Sequence, residues 1–218
     1  MKDIFAIKKL DLLISLYVFC VMVAELMGNK TFPLGSIGGF PLNASVAIFV
    51  IPILFSINDV ITEVYGAERT RSVVGAGLIV IICLILFSLL ATALPPSTRS
   101  QPMEAEYDSV FLVSVRISIA SLIAFLSAHL MDIAIFSKLR EKLGEQGLWL
   151  RNNLSNFIAQ FFDTFIFITL AFYALNKSFE ANALFLAGLI LPYWLLKCLL
   201  SVVETPLVYL GVRWLKKD

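Results

Sequence analysis

Apolar residues fall in six long runs, separated by short segments where charge, proline or glycine collects. Runs of about 20 apolar residues are long enough for a helix to cross the hydrocarbon of a bilayer. The pattern predicts spans at about 10–28, 42–63, 72–94, 110–136, 152–175 and 183–203, with an amphipathic tail over 206–218. All belong to one membrane domain, an all-α integral membrane protein with six transmembrane helices. The first run follows Lys2, Lys8 and Lys9; it is too long for a signal-peptide core and no A-x-A cleavage pattern follows, so a retained first helix is expected. Glu25, near its far end, is expected at the solvated headgroup level unless it has a functional role. Pro33, Gly38-Gly39 and Pro41 break up residues 29–41, which read as a loop or re-entrant turn. Residues 95–108, holding Glu104, Glu106 and Asp108, and the basic stretch 138–151 are also read as loops.

The second run is short. Apolar sequence lasts only from 42 to 57, with Pro52 inside. If it spans, the helix extends into the next segment, 56–71 (SINDVITEVYGAERTR), and draws Asp59 and Glu63 toward the membrane. Those two carboxylates are one helical turn apart on one face, and Gly66 then allows the chain to turn.

Polar residues inside the later runs recur at helical spacing. Asn156, Gln160 and Asp163 stack an amide, an amide and a carboxylate on one face, with Asp163 near the middle of its run. Tyr193, Lys197, Ser201 and Glu204 form a second stripe, and Arg116 lies in the fourth run with Ser114, Ser118 and Ser121, ahead of His129 and Asp132. A central Asp, Lys or Arg costs roughly 2.5–3.5 kcal/mol to insert, so such residues face a cavity or a partner and mark a pathway. One structural pair, such as Asp163 with Lys197, is unremarkable alone. Several spans contributing polar groups suit a small solute rich in hydrogen-bond donors and acceptors, not an ion pore lined by like charges.

Composition agrees with the pattern and narrows the chemistry. The 218 residues are 59% hydrophobic and 15% charged, with a mean hydropathy of +0.89. The net charge of +1 carries no nucleic-acid footprint. Cys20, Cys83 and Cys198 are scattered through apolar runs and read as small buried side chains, not as a disulfide framework or metal site. With one histidine, His129, and no G-x-S-x-G, an intramembrane serine protease is poorly served, and Asp59 with Glu63 lacks the further carboxylates of a metal-dependent lipid phosphotransferase. No catalytic residue, metal or cofactor is expected. Of the seventeen Lys and Arg, twelve fall at the two ends and in 58–71 and 138–151, against Lys30, Arg99 and Lys177 on the other side. Positive charge stays inside, which puts both termini in the cytoplasm.

Three motifs in order carry a resemblance. Asp59-x-x-x-Glu63-Val64-Tyr65-Gly66 with Arg71, then Asn153, Ser155, Gln160-x-x-Asp163-Thr164, then Lys197 and Thr205-Pro206-Leu207-x-Tyr209 resemble the queuosine precursor transporter family, also called the putative vitamin uptake transporters. Glu68 stands where that family has a basic residue, and Asn156 and Ala159 where it has hydroxyl residues. The resemblance implies a fold similar to the substrate-binding components of energy-coupling-factor transporters. It also implies import, across the bacterial inner membrane, of 7-deazaguanine bases such as preQ0 or preQ1 for tRNA modification. Asp163, or Asp59 with Glu63, would accept from the base edge, and Gln160, Asn156, Lys197 or Arg116 would donate to it. The alternative is a substrate-binding component for another vitamin-like solute. Ser15-x-x-x-Phe19 stands where a coupling-subunit docking face would show A-x-x-x-A, which tilts toward a stand-alone transporter. The derivative carried, the energy source, a coupling partner and homo-oligomer formation stay open.

Overall fold

The computed structural model describes residues 7–143, 148–203 and 205–216, and side chains outside 132–134, 136–156 and 200–207. Helices dominate: α1 (Lys9–Met27), α2 (Ile51–Tyr65), α3 (Ala67–Ala93), α4 (Glu104–Leu143), α5 (Leu148–Phe172), α6 (Phe179–Val203) and α7 (Thr205–Leu215). Among the described residues, five helical segments are long and apolar enough to cross a membrane. They are Lys9–Met27, Val46–Tyr65, Ala67–Ala93, Gln101–Met131 and Phe179–Leu199, with Phe157–Phe172 a shorter apolar helix. These segments turn large apolar side chains outward, as Ile79, Leu86, Phe87 and Leu90 do on α3. Such faces are stable where the surrounding solvent is hydrocarbon.

Residues 29–41 are not a loop. Thr31–Ile37 (β1) and Phe40–Ser45 (β2) pair as an antiparallel hairpin, from Thr31 opposite Ser45 to Ile37 opposite Phe40, with a one-residue register shift between Pro33 and Gly35. The turn is Gly38-Gly39, with φ of +57° and +83°. Two consecutive positive φ values match the twist of a two-residue hairpin turn, and glycine adopts them without a Cβ clash. Pro33 and Pro41 are tolerated because a two-stranded ribbon has a free edge on each strand. The strand persists to Ser45, so the second apolar segment begins at Val46 with a short 3-10 turn, not at Leu42. Pro52 then falls in the first turn of α2, where its missing N–H has no intrahelical partner to lose.

The segments 95–108 and 138–151 are also more helical than their charge suggests. α4 runs unbroken for 40 residues. It starts at Glu104, where Glu104 and Glu106 complement the positive end of the helix dipole. It continues through Lys138, Arg140 and Lys142, strong helix formers suited to the negative end. Residues 144–147, at the centre of the expected basic loop, lie outside the described residues.

The chain divides into two compact units. The first comprises Met1–Lys30, Val46–Val115 and Leu200–Asp218; the second comprises Thr31–Ser45 and Arg116–Leu199. In the first, α1 buries Leu13, Tyr17, Cys20 and Val21 along one stripe. Gly77 of α3 lies against that stripe, where an added Cβ would stand 2.8 Å from the Tyr17 ring. Glu25, expected at a solvated position, is buried. Ser114 of α4 reaches back to the Leu26 carbonyl at 3.3 Å. α2 ends at Gly66, whose φ of +85° redirects the chain into α3. The Thr62 and Thr70 hydroxyls, 2.8 Å apart, bridge that corner.

In the second unit the hairpin lies along α6. Gly188 leaves room for the Pro41 carbonyl, 2.5 Å from where a Cβ would stand. One and a half turns further on, the Tyr193 hydroxyl donates to the Ser45 carbonyl (3.0 Å) and accepts from the Ser45 N–H (3.1 Å). Pro192 sits within α6, and the helix continues through it. Asn182 ties the α5–α6 corner. Its side chain accepts from the Ala174 N–H and donates to the carbonyls of Ala174, Lys177 and Ser178, at 2.9–3.3 Å.

Candidate substrate site on α5 and α6

The buried stripe of α6 runs Asn182, Leu186, Leu189, Tyr193. The next position on that face is Lys197, one turn after Tyr193. An ammonium there cannot be left unpaired in a low-dielectric setting. It meets Asp163 of α5, with Lys197 Nζ donating to Asp163 Oδ2 at 2.5 Å. The pair is not sealed. Lys197 is 12% exposed and Asp163 29%, so the carboxylate keeps an open side. Lys197 also holds further N–H donors beyond the one it uses.

Gln160, one turn before Asp163, is half-buried, and its main-chain carbonyl accepts the Thr164 hydroxyl at 2.9 Å. Asn156 belongs to α5, and its side chain lies outside the described residues.

The same two helices also carry a cluster of aromatic rings, with Phe157, Phe161 and Phe165 exposed on α5. Trp194, three residues before Lys197, meets Phe157 edge-on at 4.7 Å between centroids and Phe161 at 5.4 Å. Phe165 stacks on Phe161 at 6.2 Å. Among the described residues the Trp194 Nε1 is buried without a hydrogen-bond partner. A buried indole N–H usually finds one. Together these side chains offer an acceptor carboxylate, a cationic donor, an amide and π faces along two neighbouring helices. That set can hold a small planar polar solute.

Sequence reasoning passed over Trp194, because an indole in an apolar run looks like packing. The signal was its three-residue offset from Lys197. It also passed over Asn182, an amide just inside a helix start after a short turn, where it fastens backbone groups.

Arg116 has a different setting. Its side chain is exposed, with Nε donating to the Leu170 carbonyl at 2.8 Å and Nη2 to the Tyr173 carbonyl at 2.6 Å. Leu170 lies in the last turn of α5 and Tyr173 just past its end, where carbonyls lack intrahelical donors and carry the negative end of the dipole. Leu170 is seven residues from Asp163, roughly 10 Å along the helix. Arg116 therefore closes the end of α5, and the structure does not bring it to the ion pair.

Asp59 and Glu63 lie on α2, in the first unit, and both are exposed. Asn58 beside them is half-buried. Asp132 and Glu204 fall where side chains are outside the described residues. Among the described residues no group of three His, Cys, Asp or Glu side chains is placed to hold a metal ion.

Known proteins resemble this chain over most of its length. The family described as "Putative vitamin uptake transporter" matches residues 45–211. A Bacillus subtilis (strain 168) protein named "Probable queuosine precursor transporter" is 26% identical over 201 residues, 92% of this chain and 83% of that protein. A Haemophilus influenzae protein (strain ATCC 51907 / DSM 11121 / KW20 / Rd) of the same name is 26% identical over 155 residues, 70% of this chain and 62% of that protein. No solved structure matches the chain.

Proposed function

Because this chain belongs to the family "Putative vitamin uptake transporter", a family of multi-pass membrane transporters and not of enzymes, we propose that it imports queuosine precursors, 7-deazaguanine bases such as preQ0 or preQ1. The names of its relatives in Bacillus subtilis and Haemophilus influenzae support that substrate. The observation that carries the reading is the half-open Asp163–Lys197 pair, on two helices that also carry the Trp194, Phe157 and Phe161 rings. A guanine-like edge presents adjacent N–H donors and a carbonyl acceptor. Asp163 takes the donors, Lys197 or Gln160 serves the carbonyl, and an aromatic ring stacks on the base. Asn156, Asp59 and Glu63 enter the proposal on the chemistry of their side chains alone. Arg116 acts at a distance, by holding the end of α5.

The proposal includes six spans in the cytoplasmic membrane with both ends inside, following the distribution of Lys and Arg. Uptake complementation tests it. The chain is expressed in a bacterium lacking both queuosine-precursor synthesis and its own importer, fed preQ0 or preQ1 at low concentration, and queuosine is assayed in tRNA. Restored queuosine is expected, and Asp163→Asn should abolish it with the protein still present in the membrane. Restoration that survives Asp163→Asn would overturn the site. No restoration by the unaltered chain would overturn the substrate or reveal a missing partner.

A further inference from the structure

We infer that α7 is an interfacial helix whose outward arc binds anionic phospholipid headgroups of the cytoplasmic leaflet. The leaflet rests on the orientation proposed above; the binding chemistry does not. α7 packs on α2 in the first unit. The approach is close at Gly211, where an added Cβ would stand 2.6 Å from Val60 Cγ2. Leu215 is buried, and Val208 and Val212 are half-buried on the same side. The opposite arc is open: Tyr209 is 72% exposed, Leu210 65% and Trp214 41%, with Arg213 and Lys216 also exposed.

At roughly 100° per residue the outward residues follow one another around the helix as Lys216, Tyr209, Arg213, Leu210, Trp214. Cations and a phenol occupy one flank, and Leu210 with the Trp214 indole the other. That division matches a helix lying in the boundary plane, with basic side chains at headgroup level and apolar ones in the acyl region. Lys9 adds a third cation, its Nζ 5.7 Å from the centre of the Trp214 ring. No acidic residue occurs in Thr205–Leu215. A groove of about 550 Å3 on this helix is lined by Tyr209, Leu210, Val212 and Arg213. Apolar surface alone would accept any lipid. Three cations beside it select a phosphate-bearing headgroup with net negative charge.

Tryptophan quenching by brominated lipids reads this directly. Of the three tryptophans, Trp149 and Trp194 are replaced by Phe to leave Trp214, and the full chain is reconstituted in mixtures of brominated phosphatidylglycerol and phosphatidylcholine. A cation near an anionic surface is worth roughly a fivefold preference. Arg213 and Lys216 together should therefore favour phosphatidylglycerol by roughly 25-fold, and Arg213→Gln with Lys216→Gln should cut the quenching ratio by about that factor while both lipids still quench. Equal quenching by the two lipids before any change at Arg213 and Lys216 overturns the inference. So does no quenching by either, which would mean that a protein surface covers α7. Native mass spectrometry of the chain with all its tryptophans provides a second readout. The double variant should retain fewer phosphatidylglycerol adducts, and an unchanged count overturns the inference as well.

Discussion

The α5–α6 face and the α2–α3 corner carry the same kinds of group in opposite circumstances. On α5 and α6 a carboxylate and an ammonium are largely withdrawn from solvent and bound to each other at 2.5 Å. At the end of α2, Asp59 and Glu63 stand exposed beside a glycine corner bridged by two threonine hydroxyls. A charge that has left water depends on its partner. An exposed charge keeps its water, so the fold depends less on what else it meets.

That contrast breaks or sharpens at three positions. Lys197→Ala should have the largest effect, because it strands Asp163: a loss of about 3 kcal/mol, scaled down from a fully buried pair for the open side of the carboxylate. Thermal unfolding in detergent measures it, and the double variant Asp163→Asn, Lys197→Met should recover most of the loss. A double variant no better than Lys197→Ala would show that the two side chains do not work as a pair. Tyr193→Phe comes next. It leaves the Ser45 N–H and carbonyl without the hydroxyl they share, for about 1–3 kcal/mol, and hydrogen exchange should speed up at Ser45 ahead of the rest of the hairpin. Glu63→Gln should leave the unfolding temperature unchanged. If it destabilised the protein as much as Tyr193→Phe does, the α2 end would be a structural ion site like the one on α5.

Much of the helical plan was legible because apolar length and charge placement answer to the bilayer. The α5 stripe was legible for a related reason: Gln160 and Asp163 repeat at helical spacing inside an apolar run, where polar side chains are costly. Which way those side chains face was not legible. Arg116 shows why, since an arginine deep in a run can serve a neighbouring helix end as well as a solute, and spacing on its own helix does not distinguish them. The hairpin was missed although Gly38-Gly39 between Ile37 and Phe40 is a recognised turn signal. Two prolines obscured it, and its seat on Gly188 and Tyr193 is a long-range packing event with no local signature. Glu25 was misplaced for the same reason: position along a helix says little about how closely its neighbours enclose it.

The ion pair also sets a timetable. Asp163 and Lys197 are separated by 34 residues of chain, and a ribosome adds about 5–20 residues each second. Asp163 is therefore made a few seconds before its counter-ion exists, during which it has to stay wet or borrow another partner. The short corner fastened by Asn182 keeps that interval brief, since α6 begins seven residues after α5 ends.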